Sequence, residues 1–239
     1  MDAREFLCRV LPDVGKYILA VKMPKYSGFV HRQFDAREAL ALNALQADTR
    51  PEWAVYFACA AYADQTDKKI HRTGDLATAV RSQWVDLDVG DDKPYATIRE
   101  AALAVAEFCR RMQIPAPLMV QSGKGLHCYW LFDRNVPAAL ARRMMLAFVN
   151  ASKAMGFEHD YGCAKDIARV LRPVGTHWRK SGSIRVSVLR DAKPFDPRKL
   201  YKRIRQYDKA PPAVTEQEDD EWGTGPKNYP PSSAKEIIK

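Results

Sequence analysis

The sequence predicts a mixed α+β fold. Three observations support this prediction: apolar runs of strand length alternate with amphipathic stretches of helical length, a glycine-rich tetrapeptide joins two of the strands as a hairpin, and 46% of the residues are hydrophobic. A chain of 239 residues with that content can bury one full core. We therefore expect one domain, residues 1–208, and a linker or tail, residues 209–239, that is rich in proline, glycine and acidic residues.

The first third of the sequence predicts helices and strands of ordinary length. Residues 2–10 predict a short helix, and Asp35 followed three residues later by Glu38 is typical of a second helix with Asp35 as its N-cap. Strands are predicted at residues 15–22, 28–34 and 53–62, the last as one aromatic-rich, buried strand. Residues 64–73 predict a solvated loop, with phosphate contact as the alternative, and its basic side chains are Lys68, Lys69, His71 and Arg72.

The remainder of the sequence continues this alternation. Helices are predicted at residues 96–112, 137–155 and 198–207. Asp196 followed by Pro197 is typical of the start of the last helix. Strands are predicted at residues 118–121, 126–132 and 183–189. Residues 156–172 predict an irregular segment with one helical turn near residues 165–168.

The composition indicates a polyanionic partner and a reducing compartment. Lysine and arginine total 38 against 29 acidic residues, a formal net charge of +9, and nucleic acid is the commonest partner of so basic a chain. The five cysteines are an odd number without CxxC spacing, which argues against a disulfide framework and against a cysteine zinc site. The sequence has no signal-peptide pattern and no apolar run of membrane-spanning length, so we expect a cytoplasmic protein without a membrane partner.

Two carboxylates in the stretch from Trp84 to Gly90 predict a metal site. Residues two apart in a strand point to the same face, so Asp86 and Asp88 project together while their apolar neighbours face the core. Aspartate is disfavoured in strands, and adjacent carboxylates repel each other unless a cation lies between them. Hard oxygen ligands suit Mg²⁺ or Mn²⁺. The alternative is a half-solvated strand whose polar face is acidic.

A glycine-rich loop and the strand after it predict a phosphate site. In Ser122-Gly123-Lys124-Gly125 the glycines let the backbone approach a ligand, while the serine and lysine add a hydroxyl donor and a positive charge. His127 follows on the next strand and could donate to a phosphate oxygen. The loop is not a Walker A loop, which runs GxxxxGK[ST] into a helix. The alternatives are a plain β-turn and an ordinary half-buried histidine.

A third cluster combines two acids with several cations. Asp160 and Asp166 precede a segment that is dense in basic residues and contains one aromatic residue: Arg169, Arg172, Trp178, Arg179 and Lys180. Basic and aromatic side chains together are typical of nucleic-acid and nucleotide binding. Arg172 lies in a partly apolar stretch, and a buried arginine needs an anion. The alternative is a solvated loop.

In this order the three clusters resemble the motifs of the archaeo-eukaryotic primase superfamily, in particular its phage- and plasmid-type primase-polymerase domains. The first motif, hydrophobic-Asp-hydrophobic-Asp, is matched by Val85-Asp86-Leu87-Asp88. The second, a small residue and glycine leading to histidine, is matched by the segment from Ser122 to His127. The third, an acid followed by RvLRxPGTxNxK, is matched by the segment from Arg169 to Lys180, in which Trp178 replaces the usual asparagine.

The resemblance implies an RRM-like sheet packed with an N-terminal α/β unit, and template-dependent nucleotidyl transfer as the activity. It implies two divalent ions, Mg²⁺ or Mn²⁺, held by Asp86, Asp88 and Asp160. It also implies that the triphosphate contacts Ser122, Gly123, Lys124, His127, Arg172 and Lys180. Asp166 could complete the metal site instead of Asp160. The resemblance favours Asp160, because eukaryotic members of the family have their third acid at this distance before the arginine cluster, and Asp166 is then a structural or capping residue.

The implied partners are a single-stranded DNA template, a primer and NTP or dNTP. The resemblance further implies a phage- or plasmid-encoded protein of a bacterial cytoplasm, to which a helicase domain or protein could be joined through the C-terminal linker. The alternative is a non-catalytic replication-initiation or nucleic-acid-binding domain that keeps the same fold. A rolling-circle nickase would need an HxH ligand pair, which the sequence lacks.

Overall fold

The computed structural model describes residues 1–208, and the predicted tail at residues 209–239 lies outside the described residues. The helices are α1 Ala3–Val10, α2 Arg37–Asp48, α3 Ile98–Met112, α4 Ala138–Ala154, α5 Tyr161–Lys165 and α6 Pro197–Ile204. The strands are β1 Tyr17–Lys22, β2 Phe29–Phe34, β3 Ala54–Ala58, β4 Ala61–Tyr62, β5 Ala77–Leu87, β6 Leu118–Gln121, β7 Leu126–Pro137, β8 Val170–Leu171, β9 His177–Trp178, β10 Ile184–Arg185 and β11 Ser187–Arg190. The α+β prediction is confirmed.

The strands form two larger antiparallel sheets and one two-stranded ribbon. The N-terminal sheet has the order β2-β1-β3-β8, the larger sheet has the order β11-β6-β7-β5-β4, and β9 pairs with β10. Strand β8 comes from the C-terminal half of the chain but pairs with β3. The segment that carries the predicted arginine cluster is therefore built into the N-terminal sheet.

One continuous core lies between the sheets and the helices. Phe6 on α1 makes edge contacts with Phe57 of β3 and Tyr129 of β7, at ring-centroid distances of 5.6 and 5.4 Å. On the larger sheet, Trp130 of β7 packs against Phe148 of α4 at 5.1 Å. Burying such aromatic side chains contributes a large share of core stability. The contacts of Phe6 fix the two sheets relative to each other.

Two predicted strands are each divided between two partners. The run at residues 53–62 forms β3 in the N-terminal sheet and β4 in the larger sheet, because the chain bends at Cys59, whose N–H donates to the Arg169 carbonyl at 2.9 Å. The run at residues 183–189 is interrupted at Val186, whose N–H donates to the Thr176 carbonyl at 2.8 Å. Both runs are apolar or alternating throughout, so their composition does not mark the change of partner.

Two helix starts also differ from the prediction. The N-cap of α2 is Ala36, without a side-chain hydrogen bond, and Asp35 instead accepts a hydrogen bond from Lys16 Nζ at 2.5 Å. The short helix predicted near residues 165–168 lies earlier, at Tyr161–Lys165, because the carboxylate of Asp160 caps it. Among the helices of residues 1–208, none is both long and apolar enough to cross a membrane.

Candidate active site

An acid and a histidine face each other at one end of the larger sheet. Asp86 near the end of β5 pairs in register with His127 at the start of β7. The Nε2 atom of His127 lies 3.7 Å from Oδ1 of Asp86, and the histidine side chain is only 3% exposed. The long β5–β7 pairing sets this distance, so the two side chains are held together by the backbone of the sheet.

Burial shifts the pKa values of both groups. Burial, and then the charge of Asp88, raises the pKa of Asp86 to about 6. Burial, reinforced by the positive charges of Arg172 and Arg169, lowers the pKa of His127 to about 3. His127 is therefore neutral at pH 7, and it can donate a hydrogen bond but carries no positive charge.

The backbone brings Asp160 directly beside Asp86. The N–H of Asp160 donates to the Asp86 carbonyl at 2.9 Å, just before α5 begins. One carboxylate oxygen of Asp160 accepts from the Cys163 N–H at 2.8 Å, and the other accepts from the Arg169 guanidinium at 2.9 Å. Asp166 accepts from the Ala168 N–H at 2.9 Å. Both acids thus cap local backbone, but only Asp160 bonds to the strand that carries Asp86.

The three predicted metal ligands border the same end of β5. Both Asp88 and Asp160 raise the pKa of Asp86 by their negative charge, after burial as the largest cause. Asp88 is exposed and pairs with Lys93 at 3.2 Å, and Asp160 pairs with Arg169. Within residues 1–208, no group of three or more histidine, cysteine, aspartate or glutamate side chains is close enough to hold a metal ion. The donor set fits Mg²⁺ or Mn²⁺ in chemistry, since all three are hard oxygen donors whose mutual repulsion a cation would relieve.

The glycine-rich loop packs against the end of β5 and against β9. A Cβ atom on Gly125 would lie 2.7 Å from the Leu87 carbonyl oxygen. Gly123 has a φ of +129°, and a Cβ atom there would lie 2.3 Å from the Trp178 ring. Lys124 places its Nζ 6.0 Å from the centroid of the same ring. Both glycines are required by close packing, and Trp178 connects the second and third motifs.

A cleft of about 340 Å³ lies between the two sheets. Its lining is mainly charged and aromatic: the cations Arg72, Arg169, Arg172 and Lys180, the acids Asp86 and Asp166, His127, and the aromatic residues Phe29 and Tyr56. Of the six residues predicted to contact a triphosphate, three line this cleft: His127, Arg172 and Lys180. The other three, Ser122, Gly123 and Lys124, do not line it.

Arg172 is held against an aromatic ring from the N-terminal sheet. Its guanidinium donates to the Tyr56 hydroxyl at 2.7 Å, and its Cζ lies 4.6 Å from the Tyr56 ring centroid. The pairing of β8 with β3 places the two residues side by side. The Nε atom of Arg172 is buried and has no hydrogen-bond partner within residues 1–208. The sequence did not indicate that Tyr56 belongs to the site, because an aromatic residue in an apolar run is normally part of the hydrophobic core.

A buried acid that the sequence analysis missed anchors the third motif. Asp48, the last residue of α2, is 6% exposed. Its carboxylate accepts from the His177 backbone N–H at 3.0 Å and from the Arg179 guanidinium at 2.7 Å, and it lies 2.7 Å from His177 Nδ1. The network fixes β9 immediately before Lys180. A signal did exist, because the helix dipole disfavours an acid in the last turn of a helix.

The fold and the cleft define an α+β domain of two antiparallel sheets with acidic, basic and aromatic side chains in the cleft between them. Residues 75–162 match a family described as the TOTE conflict system archaeo-eukaryotic primase domain. The match covers the first two motifs and Asp160, and it bears out the resemblance of the motifs to the archaeo-eukaryotic primase superfamily. No curated protein matches the sequence.

Two solved structures have the same fold. One is the archaeo-eukaryotic primase domain of the cyanophage S-2L primase-polymerase, with a TM-score of 0.54 and 15% identity over 80% of this chain and 90% of that chain. The other is the catalytic domain of primase RepB' in complex with initiator DNA, with a TM-score of 0.52 and 11% identity over 86% of this chain and 95% of that chain. At these identities the likeness concerns the fold.

Proposed function

We propose that this protein is a template-dependent nucleotidyltransferase, a DNA primase or DNA polymerase or both, that acts on single-stranded DNA. One observation carries the proposal: Asp86, beside a neutral, buried His127, opens into a cleft lined by four cations. Phosphoryl transfer needs carboxylates for divalent ions and preorganised donors for the triphosphate. Asp86 lines the cleft together with such donors, and Asp88 and Asp160 border the same end of β5.

In this proposal the carboxylates bind the metal ions and the cations bind the triphosphate. Asp86, Asp88 and Asp160 would hold two Mg²⁺ or Mn²⁺ ions, which lower the pKa of an attacking hydroxyl and hold the triphosphate. His127 would donate a hydrogen bond to a phosphate oxygen, and Arg172 and Lys180 would meet its negative charge. Ser122, Gly123 and Lys124 would contact the ligand from beyond the cleft, on the side of Trp178.

The ion pair between Asp160 and Arg169 has a consequence for this proposal. A carboxylate that is shared with a guanidinium is a weaker metal ligand, and the two interactions compete. When a triphosphate enters, its charge gives Arg169 a second anion to bind. We therefore expect nucleotide and metal binding to reinforce each other.

The proposed partners follow from charge and fold. The basic chain suits a single-stranded template, with a primer and NTP or dNTP as the further substrates, and its affinity for DNA should fall with added salt. A bacterial cytoplasm with phage or plasmid origin, and a helicase joined through residues 209–239, remain part of the proposal. The activity would serve replication or a conflict system of the kind named in the matching family.

A second candidate is a non-catalytic DNA-binding domain with the same fold. Two observations favour it: the acidic side chains of residues 1–208 do not form a three-ligand metal group, and Asp88 and Asp160 are paired with Lys93 and Arg169. The two candidates differ in whether the cleft turns over nucleotide.

The test uses the full chain on single-stranded DNA templates, with and without a primer, with labelled NTP or dNTP in Mg²⁺ or Mn²⁺. We expect incorporation that requires a template and a divalent ion and that is lost with EDTA. Template binding without incorporation under any of these conditions would refute the enzymatic proposal and favour the DNA-binding domain.

A further inference from the structure

The loop at residues 64–73, which the sequence predicts to be solvated, is attached to the edge strand β2. Gln33 of β2 donates to the Asp64 carboxylate at 2.7 Å and accepts from the Gln65 N–H at 3.2 Å. The Gln65 side chain in turn donates to the His71 carbonyl at 2.9 Å and accepts from the His71 N–H at 2.7 Å. These hydrogen bonds fix the backbone immediately before Arg72.

Within this loop, Arg72 differs from the other cations. Lys69 is exposed, whereas Arg72 is partly buried and lines the cleft together with Asp86, His127 and Arg172. The Nε atom of Arg72 is buried and has no hydrogen-bond partner within residues 1–208. A buried donor without an acceptor costs free energy, and in native proteins such donors are rare. A guanidinium fork in this state is suited to an anion with several oxygens.

We infer that Arg72 binds a phosphate group of the nucleotide in the cleft. The inference rests on the proposed function and deepens it, because it assigns a phosphate-binding role to a residue outside the three motifs. The nucleotide is favoured over the template backbone because Arg72 shares the cleft with the acid at the reacting centre. The other basic residues of its loop do not line that cleft. The hydrogen bonds of Gln33 and Gln65 order the backbone immediately before Arg72 before the ligand arrives, which reduces the entropy lost on binding.

The test measures equilibrium binding of inorganic tripolyphosphate and of a single-stranded oligonucleotide to the full chain, both in the presence of EDTA. Arg72→Ala should weaken tripolyphosphate binding about tenfold, the usual effect of losing one charge-assisted hydrogen bond. Lys69→Ala removes the same charge from the same loop and serves as the matched control, with less than about a twofold effect on tripolyphosphate. Both variants should weaken oligonucleotide binding equally. Arg72→Lys should recover part of the tripolyphosphate affinity.

Thermal unfolding separates ligand binding from a structural role. Because the Arg72 Nε has no partner, Arg72→Ala should unfold at a temperature no lower than the wild-type chain. Unchanged tripolyphosphate binding in Arg72→Ala, beside a clear loss in Arg172→Ala, would overturn the inference and leave the proposed function standing. A loss on the oligonucleotide that exceeds the loss on tripolyphosphate would assign Arg72 to the template and also overturn it. Failure of the proposed function would instead appear as absent incorporation by the wild-type chain.

Discussion

The two walls of the cleft are built in different ways. The acidic wall is built on paired backbone: Asp86 lines the cleft and faces His127 across β5 and β7, and the N–H of Asp160, which lies outside the lining, bonds to the Asp86 carbonyl. The cationic wall is assembled from three separate segments that carry Arg72, the Arg169–Arg172 pair and Lys180. The comparison shows that the acidic wall depends on sheet register, whereas the cationic wall depends on side-chain contacts between distant segments.

Those contacts are specific and mostly polar. Tyr56 positions Arg172, Gln65 positions the loop before Arg72, and Asp48 positions the strand before Lys180. A single substitution can release one cation without disturbing the others. We therefore expect substitutions in the acidic wall to abolish nucleotide incorporation. Substitutions in the cationic wall should each lower nucleotide affinity by a smaller, independent factor.

The largest expected effect is on the acidic wall. Asp86→Asn keeps the shape of the side chain but removes a metal ligand, and should lower nucleotide incorporation by about a thousandfold, which corresponds to several kcal/mol of transition-state stabilisation. The measurement is primer extension at saturating nucleotide, with thermal unfolding to verify the fold. Asp92→Asn, an exposed acid in the turn after β5, is the control. Near-normal incorporation by Asp86→Asn would mean that the two-metal assignment is wrong.

The next prediction distinguishes the two acids before the arginine cluster. Asp160→Ala should eliminate incorporation and weaken Mn²⁺ binding, because Asp160 is bonded to the strand that carries Asp86. Asp166→Ala removes a local cap to the Ala168 N–H and should cost about 1 kcal/mol of stability with only a modest loss of activity. A Mn²⁺ titration of the two variants decides between them. The opposite ranking would transfer the ligand role to Asp166.

A smaller effect is expected from the cationic wall. Arg172→Ala should weaken nucleotide binding by roughly 10–100-fold, since a hydrogen bond to a charged group is worth about 1.5–3 kcal/mol. His127→Ala should weaken it less, about fivefold, because the ring is neutral at pH 7. Template binding should change less than nucleotide binding in both variants. Arg185→Ala, which removes an exposed cation on β10, is the control. Equal losses of template and nucleotide affinity would place Arg172 and His127 outside the nucleotide site.

Substitution of Asp48, which holds the third motif in place, should lower the stability of the fold more clearly than it lowers activity. Asp48→Ala leaves the Arg179 guanidinium without its carboxylate, and should lower the free energy of unfolding by roughly 1–3 kcal/mol, since its partners are partly exposed. Denaturant unfolding measures this loss, and Asp92→Ala provides the exposed-acid control. Nucleotide binding should weaken severalfold because Lys180 is released. Unchanged stability would show that the buried network contributes nothing to the wall.

The smallest effect concerns the end of the chain. A chain that ends at Asp208 keeps the hydrogen bond from Asn150 to the Tyr207 carbonyl, at 3.0 Å, and the ion pair between Arg143 and Asp208. Its incorporation on primed template should stay within about twofold of the full chain, because the composition of residues 209–239 does not supply a core. Primer extension and thermal unfolding provide the measurement. A large fall in the unfolding temperature would show that the tail packs on the domain.

The sequence by itself determined the α+β class, five of the six helices, most of the longer strands and the three motifs, but not β8, β9 or the first half of β5. These features rest on local chemistry: alternation within a strand, caps such as Asp196 before Pro197, and the rarity of two alternating aspartates in an otherwise apolar stretch. The sequence also indicated that Gly123 and Gly125 allow a close approach to the backbone. The sequence analysis expected a ligand there, whereas the structure shows Trp178 beside Gly123 and the Leu87 carbonyl beside Gly125.

Tertiary structure alone decided which strands share a sheet and which cations share the cleft. The run at residues 53–62 is apolar or aromatic throughout, so its composition does not mark the bend at which it changes sheets. Local sequence indicates only ordinary roles for three residues of the site: a loop cation for Arg72, a core aromatic residue for Tyr56 and a helix-end acid for Asp48. Their part in the site depends on contacts with segments that are distant in the chain. Tyr56 bonds to Arg172, which lies 116 residues later in the chain. Asp48 bonds to Arg179, which lies 131 residues later. Local patterns carry no information about such pairings, because loop closure and side-chain packing choose them only when the whole core forms.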